Sequence, residues 1–173
     1  MMLKYIQAFD LRIFYSVFYY SKQTSLPINL TRHAKLISKM ADGWLYLSLI
    51  PLTLIFRQDQ IVNYLYLAVL GFSIERGFYF TLKNTIKRPR PYRSIKGLKS
   101  IILASDEFSL PSGHTSAAFF FSTFLCMGFS PLFLPLYLWA TAVGLSRVVL
   151  GVHYLTDIII GAILGSAIAF LIL

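Results

Sequence analysis

"SLPSGHTSAAFFFSTFLCMGF", Ser109–Phe129, holds two kinds of chain in one stretch. From Thr115 to Phe129 it is an uncharged run suited to a helix in lipid, whereas Pro111-Ser112-Gly113-His114 breaks the chain just before that run begins. The break has two readings. In one, Ser112 or Thr115 caps the helix and His114 rests at the membrane interface. In the other, Gly113 lets the backbone approach a ligand, and the free N–H groups and partial positive charge of the helix N-terminus attract an anion such as phosphate.

The surrounding chain gives that run its context. Of 173 residues, 57% are hydrophobic and only 13% charged, an apolar share above that of soluble domains. The expected fold class is therefore all-α, a polytopic membrane helical bundle forming a single integral-membrane domain over residues 1–173. Spans of roughly 20 mostly apolar residues are expected at about Met40–Phe56, Ile61–Leu82, Thr115–Phe129, Leu132–Leu150 and Leu155–Leu173. Residues 1–39 read as an N-terminal interfacial region, with Tyr15, Tyr19 and Tyr20 near the headgroups, in preference to a sixth span. No cleavable signal peptide is expected, because Asp10 and Arg12 interrupt the early apolar stretch. Cys126 is the lone cysteine, so no internal disulfide forms.

Basic residues outnumber acids 16 to 7. In a membrane chain that excess points to anionic headgroups or phosphate substrates; nothing in the pattern favours nucleic acid. Parity then gathers the polar clusters. The loop after the second span returns to the third without crossing, and the third and fourth spans go across and back. "KNTIKRPRPYR" (Lys83–Arg93), Pro111–His114 and "SRVVLGVHYLTD" (Ser146–Asp157) therefore share one face.

Each cluster carries chemistry. Pro89 and Pro91 stop a helix, so Arg90 projects from an extended segment, with Lys83 at the helix end before it. His153 and Asp157 are four apart, which on a helix places them on one face, where a carboxylate can fix the imidazole tautomer and free the other nitrogen to attack. With Lys83, Arg90 and Arg147 beside them and Asp157 as the one evident acid, the face suits an anion and opposes a metal cation. Binding groups, a nucleophile and a general acid together suit phosphoryl transfer. Glu75 and Arg76 read as a buried pair or packing contact, although Arg76 lies seven residues before Lys83 and on roughly its face. His33 reads as an ordinary interfacial residue.

The spacings Lys83-x6-Arg90-Pro91, Pro111-Ser112-Gly113-His114 and Ser146-Arg147-x5-His153-x3-Asp157 resemble the signature of the type 2 phosphatidic acid phosphatase superfamily of integral-membrane lipid phosphatases. The match covers residues 83–157 without a gap. The resemblance implies that His153 attacks phosphorus to form a phosphohistidine, Asp157 orients it, and His114 protonates the leaving oxygen and later activates water. Lys83, Arg90, Ser112, Gly113 and Arg147 would bind the phosphate, with no metal and no cofactor.

The small size of the chain, with little beyond the motif core, makes a bacterial-type enzyme acting on undecaprenyl diphosphate the preferred expectation. Phosphatidylglycerophosphate, phosphatidate and lipid A 1-phosphate are the alternatives, followed by a haloperoxidase-like enzyme or a non-catalytic lipid-binding protein. The expected partners are the lipid substrate and membrane lipids, and the expected location is the bacterial inner membrane. The positive-inside rule would turn the active face to the cytoplasm, whereas similar bacterial phosphatases face the periplasm, the orientation preferred here.

Overall fold

The computed structural model describes residues 2–23 and 27–173, with side chains described for 6–17 and 29–173. Tyr19 and Tyr20, expected near the headgroups, have side chains outside that set; Tyr15 is exposed. The architecture is all-α. In chain order the helices are α1 Met2–Gln23, α2 Pro27–Met40, α3 Leu49–Phe56, α4 Ile61–Ile86, the short α5 Pro91–Ser94, α6 Gly113–Gly128, α7 Leu136–Val149 and α8 Leu155–Ile172. Single 3-10 turns precede α3, α4 and α7. Among the described residues β pairing is limited to a bridge between Pro89 and Phe108.

Among the described residues two segments, Pro131–Val149 and Leu155–Ile172, are long and apolar enough to cross a membrane by themselves. Trp44–Phe56 is apolar but shorter than expected, because the chain turns at Gly43 and coils as a 3-10 turn before α3 begins. Outward faces are greasy: Trp44, Ile55, Val62, Val69, Leu138 and Leu171 are all largely exposed.

The Thr115–Phe129 run turns out to be apolar for another reason. Helix α6 is the centre of the bundle, buried along nearly its whole length against α4, α7 and α8. Phe120, Phe121 and Phe124 pack with Ile168 and Ala169 of α8 as the largest core cluster. The N-terminal region is also built in: Phe14 and Asp10 of α1 are fully buried, Phe14 against the ring of Tyr154.

Helix α4 carries its buried residues at 68, 71, 75, 79 and 83, one stripe at helical spacing. The stripe changes along its length from Ala68 and Gly71 to Glu75, Tyr79 and Lys83, so its polar end marks where the bundle stops being a core and becomes a site. Lys87, in the left-handed region at φ 50°, ends the helix, and Pro89 and Pro91 prevent its resumption.

Helices α6 and α8 meet backbone to backbone. A Cβ on Gly161 would stand 2.7 Å from the Ser112 carbonyl oxygen, and one on Gly165 would overlap the carbonyl of Ser116. This is the small-xxx-small seam that lets membrane helices approach closely. The obstacle at Gly165 is backbone and cannot rotate away. Gly165→Ala is therefore expected to cost about 1–3 kcal/mol by overpacking, measured as a lower melting temperature in detergent. Gly77→Ala, where a Cβ meets nothing within 4 Å, should leave it in place.

Candidate active site

Three loops meet at one end of the bundle. Arg90 is in extended conformation (φ −73°, ψ 156°) at the start of α5, as its flanking prolines require. Its guanidinium is 1% exposed. Nη1 donates to the Val152 carbonyl at 2.8 Å and approaches His153 Nε2 at 3.3 Å.

That approach assigns the His153 tautomer. A guanidinium can only donate, so Nε2 must carry the lone pair and Nδ1 the proton. Nδ1 stands 3.5 Å from Asp157 Oδ2, too long for a full hydrogen bond but with no nearer partner. The route to this contact differs from the expected shared helical face. Helix α8 begins at Leu155, so His153 lies in the turn before it. Gly151, at φ 78°, makes that turn, and the N–H groups of Val152 and His153 both donate to the Arg147 carbonyl, at 3.1 and 3.3 Å.

Asp157 is fully buried and saturated. Oδ2 accepts from the Tyr154 N–H at 2.8 Å, capping α8, and Oδ1 accepts from Arg88 Nη1 at 2.7 Å. Arg88 also donates to Asp10 Oδ2 at 2.6 Å, and Asp10 accepts the Thr156 backbone N–H at 3.0 Å. Helix α1 is thus wired to the carboxylate behind His153. Burial opposes the Arg88 charge, but Asp157 and Asp10 outweigh it and raise its pKa above the ordinary value.

On the opposite wall, His114 Nε2 lies 2.8 Å from Asp42 Oδ1. Gly113 is required at its position, because a Cβ would meet the Tyr79 ring at 2.8 Å. Ser112 begins α6 without a side-chain cap. Its buried hydroxyl accepts from Thr115 Oγ1 at 2.9 Å, its N–H donates to the Asp157 carbonyl at 3.1 Å, and it does not line the cavity. Arg147, 4% exposed, donates from Nη1 to Ser38 Oγ at 2.6 Å, while its buried Nε has no partner. Lys83 donates to Tyr79 and Asp106, both at 2.7 Å.

The cavity between these walls is about 420 Å³ and is lined by Arg76, Arg90, Asp106, His114, Arg147 and His153, among others. It brings together the sequence-derived His153, His114, Arg90, Arg147 and Gly113. Asp157 stands behind His153, and Lys83 behind Asp106. The expectation of Asp157 as the one acid on this face is corrected: Asp42 and Asp106 are there as well. Asp106 Oδ1 receives both Lys83 Nζ at 2.7 Å and Arg90 Nη2 at 2.5 Å. It lies in a loop with no periodicity to point it inward, and Asp42 lies in a turn after α2, so neither gave a signal. Arg88 sits inside the "KRPRP" run and was hidden among its cations.

Glu75 and Arg76 do form a pair, at 2.5 Å, with Glu75 fully buried and also accepting from Ser116. Arg76 does more than pack. Nη2 donates to the Gly113 carbonyl at 3.0 Å, and the side chain edges the cavity.

Burial would raise the Asp106 carboxyl, but hydrogen bonds from Lys83, Tyr79 and Arg90 hold it well below the usual carboxylate range. Burial lowers His153 from 6.5 to about 3, opposed by Asp157 and reinforced by Arg90 and Arg147. The result is a neutral imidazole with its lone pair beside a guanidinium, at the edge of a cavity rich in arginine. Such an arrangement can hold an anion and can offer a nucleophile to it.

The family model described as PAP2 superfamily matches residues 60–173. The fold is similar to the crystal structure of Aquifex aeolicus LpxE, with TM-score 0.75 and 24% identity over 94% of this chain and 93% of that one. It is also similar to the first transmembrane PAP2 type phosphatidylglycerolphosphate phosphatase from Bacillus subtilis, with TM-score 0.72 and 24% identity over 96% of this chain and 84% of that one. At this identity the likeness is one of fold.

A histidine held neutral in the fold takes its proton only on unfolding. The stability this gives is full above pH 6.5 and falls as the pH drops toward about 3. In equilibrium denaturation, the native chain should lose stability through that window more steeply than His153→Gln. The extra slope should approach about 1.4 kcal/mol per pH unit. Parallel curves would show that His153 is charged in the fold.

Proposed function

The chain belongs to the PAP2 superfamily, and from that premise we propose that it is a membrane lipid phosphatase releasing phosphate from a lipid phosphate or diphosphate. The observation that carries the reading is His153 on the wall of the cationic cavity, with its unprotonated Nε2 3.3 Å from Arg90. The exposed apolar faces of α3, α4, α7 and α8 support a bundle embedded in lipid, with Trp44–Phe56, α4 and α6 joining α7 and α8 as about five membrane-crossing elements.

The geometry supports the reaction that the family resemblance implies. The phosphate group sits against Arg90, Arg147 and the Gly113 backbone, with Lys83 behind them. His153 Nε2 attacks phosphorus, the bond to the lipid oxygen breaks, and His114 gives that oxygen its proton. Water then attacks the phosphohistidine, His114 takes back a proton, the N–P bond breaks, and inorganic phosphate leaves. A nucleophile must be unprotonated to attack, and burial keeps His153 in that form. Asp157, held by Arg88 and the Tyr154 N–H, stabilises the Nδ1 proton as the ring becomes positive. Asp42 orients His114 on the opposite wall through the 2.8 Å contact to Nε2.

Undecaprenyl diphosphate is the preferred substrate, on the resemblance to bacterial members of the family. Phosphatidylglycerophosphate, phosphatidate and lipid A 1-phosphate are the alternatives.

Phosphate release from a panel of purified lipid phosphates in detergent tests catalysis and substrate together. Activity is expected to persist in EDTA and to disappear in His153→Ala; a fully active His153→Ala enzyme would overturn the mechanism. Asp42→Asn is expected to lower kcat by about tenfold or more, within the range for general acid–base catalysis, with little change in KM. An unchanged kcat would reduce Asp42 to packing.

A further inference from the structure

Helix α2 has an unusual polarity. Lys35, Ser38, Lys39 and Asp42 fall at i, i+3, i+4 and i+7, one stripe along the helix and the turn that ends it. Ordinary interfacial lysines send such a stripe to water or headgroups. Here its middle and end face the protein instead. Ser38 is 4% exposed and bonded to Arg147, and Asp42 meets His114. The neighbouring apolar positions Ala34 and Ala41 pack into α6, α7 and the turn beyond α7, which fixes the rotation of α2. Lys35 and Lys39, exposed at the ends of their side chains' reach, border the same space.

That space is a second cavity of about 430 Å³, lined by Lys35, Ser38, Lys39, Asp42, His114 and Arg147 with some apolar wall. Asp42, His114 and Arg147 also line the catalytic cavity, so the two chambers share a wall. Three cations face one acid, and that acid is already engaged by His114. Arg147, on the wall shared by both cavities, has a donor to spare: it is nine-tenths buried, and its Nε makes no hydrogen bond, an arrangement that costs free energy unless something accepts from it.

We propose that this chamber is a second phosphate-binding site, in which Lys35 and Lys39 hold a phosphate group one wall away from the group being cleaved. The inference rests on the phosphatase reading for its purpose but not for its chemistry. The phosphate has two sources, the second phosphate of a lipid diphosphate or the inorganic phosphate just released.

Inorganic phosphate binding to the catalytically silent His153→Ala chain, measured by calorimetry in detergent, tests the site without turnover. Adding Lys35→Gln and Lys39→Gln should weaken one of two binding events about tenfold and leave that of the catalytic cradle in place. Adding Lys35→Arg and Lys39→Arg should restore it, which excludes misfolding as the cause. Arg32→Gln, on the same helix but outside both cavities, should change nothing. Two unchanged binding events in the double glutamine variant, or an equal loss in Arg32→Gln, overturn the proposal.

Kinetics on the active enzyme then separate the sources. A fall of about tenfold in kcat/KM for a lipid diphosphate relative to the monophosphate assigns the site to the substrate's second phosphate. A weaker inhibition by inorganic phosphate at constant diphosphate-to-monophosphate ratio assigns it to the released product. A chain that binds phosphate through Lys35 and Lys39 yet hydrolyses no lipid phosphate would keep this site and sink the phosphatase reading.

Discussion

The close approach of α6 and α8 is the constraint on which the site depends. Gly161 and Gly165 let the backbones touch at Ser112 and Ser116, and the Ser112 N–H donates to the Asp157 carbonyl. The chain break that carries His114 and the turn that carries His153 are therefore fixed to each other by main chain, not by flexible side chains. A catalytic pair facing across a cavity needs its spacing held to a fraction of an ångström. Close-packed helices give that rigidity where loops alone would not. The same seam explains why α6 is buried almost throughout: a helix touched on several sides has no face left for lipid.

Around this frame the charges are arranged so that few stand uncompensated. Burying a lone ion costs several kcal/mol, and pairing offsets that only when the remaining hydrogen bonds are also made. Asp157 meets the condition with Arg88 and a backbone N–H, Asp10 with Arg88 and Thr156, and Glu75 with Arg76 and Ser116. The acids do more than balance the count. Each holds a cation or a histidine in one orientation, and those cations are the groups that would otherwise swing freely toward solvent.

How much of this was legible depended on whether a residue's role was written in local spacing. The prolines around Arg90 announced an extended segment, and the uncharged runs announced helices, so parity was enough to bring Arg90, His114, Arg147 and His153 to one end. His153 and Asp157 do approach each other, at 3.5 Å, but not across a shared helical face, since Gly151 moves His153 off the helix. Asp106 and Asp42 were missed because a loop and a turn have no period, and only the folded chain says where their carboxylates point. The α2 stripe was present at helical spacing, but an inward polar face and an outward one look alike in a sequence until a partner such as Arg147 is known.

Asp106 shows what the missed residues change. An anion site read from the sequence is a cluster of cations whose mutual repulsion has no answer. In the fold, Asp106 bridges Lys83 and Arg90 through one oxygen and takes Tyr79 on the other. It stays ionised because those donors favour its charged form over the cost of burial. A carboxylate with such partners is a smaller analogue of a phosphate oxygen pair, and it holds the cradle in the shape an anion needs. It also divides the labour among the cations. Lys83 and one edge of Arg90 serve Asp106. The proposed nucleophile, His153, is met by the other edge of Arg90, which no internal acid has claimed.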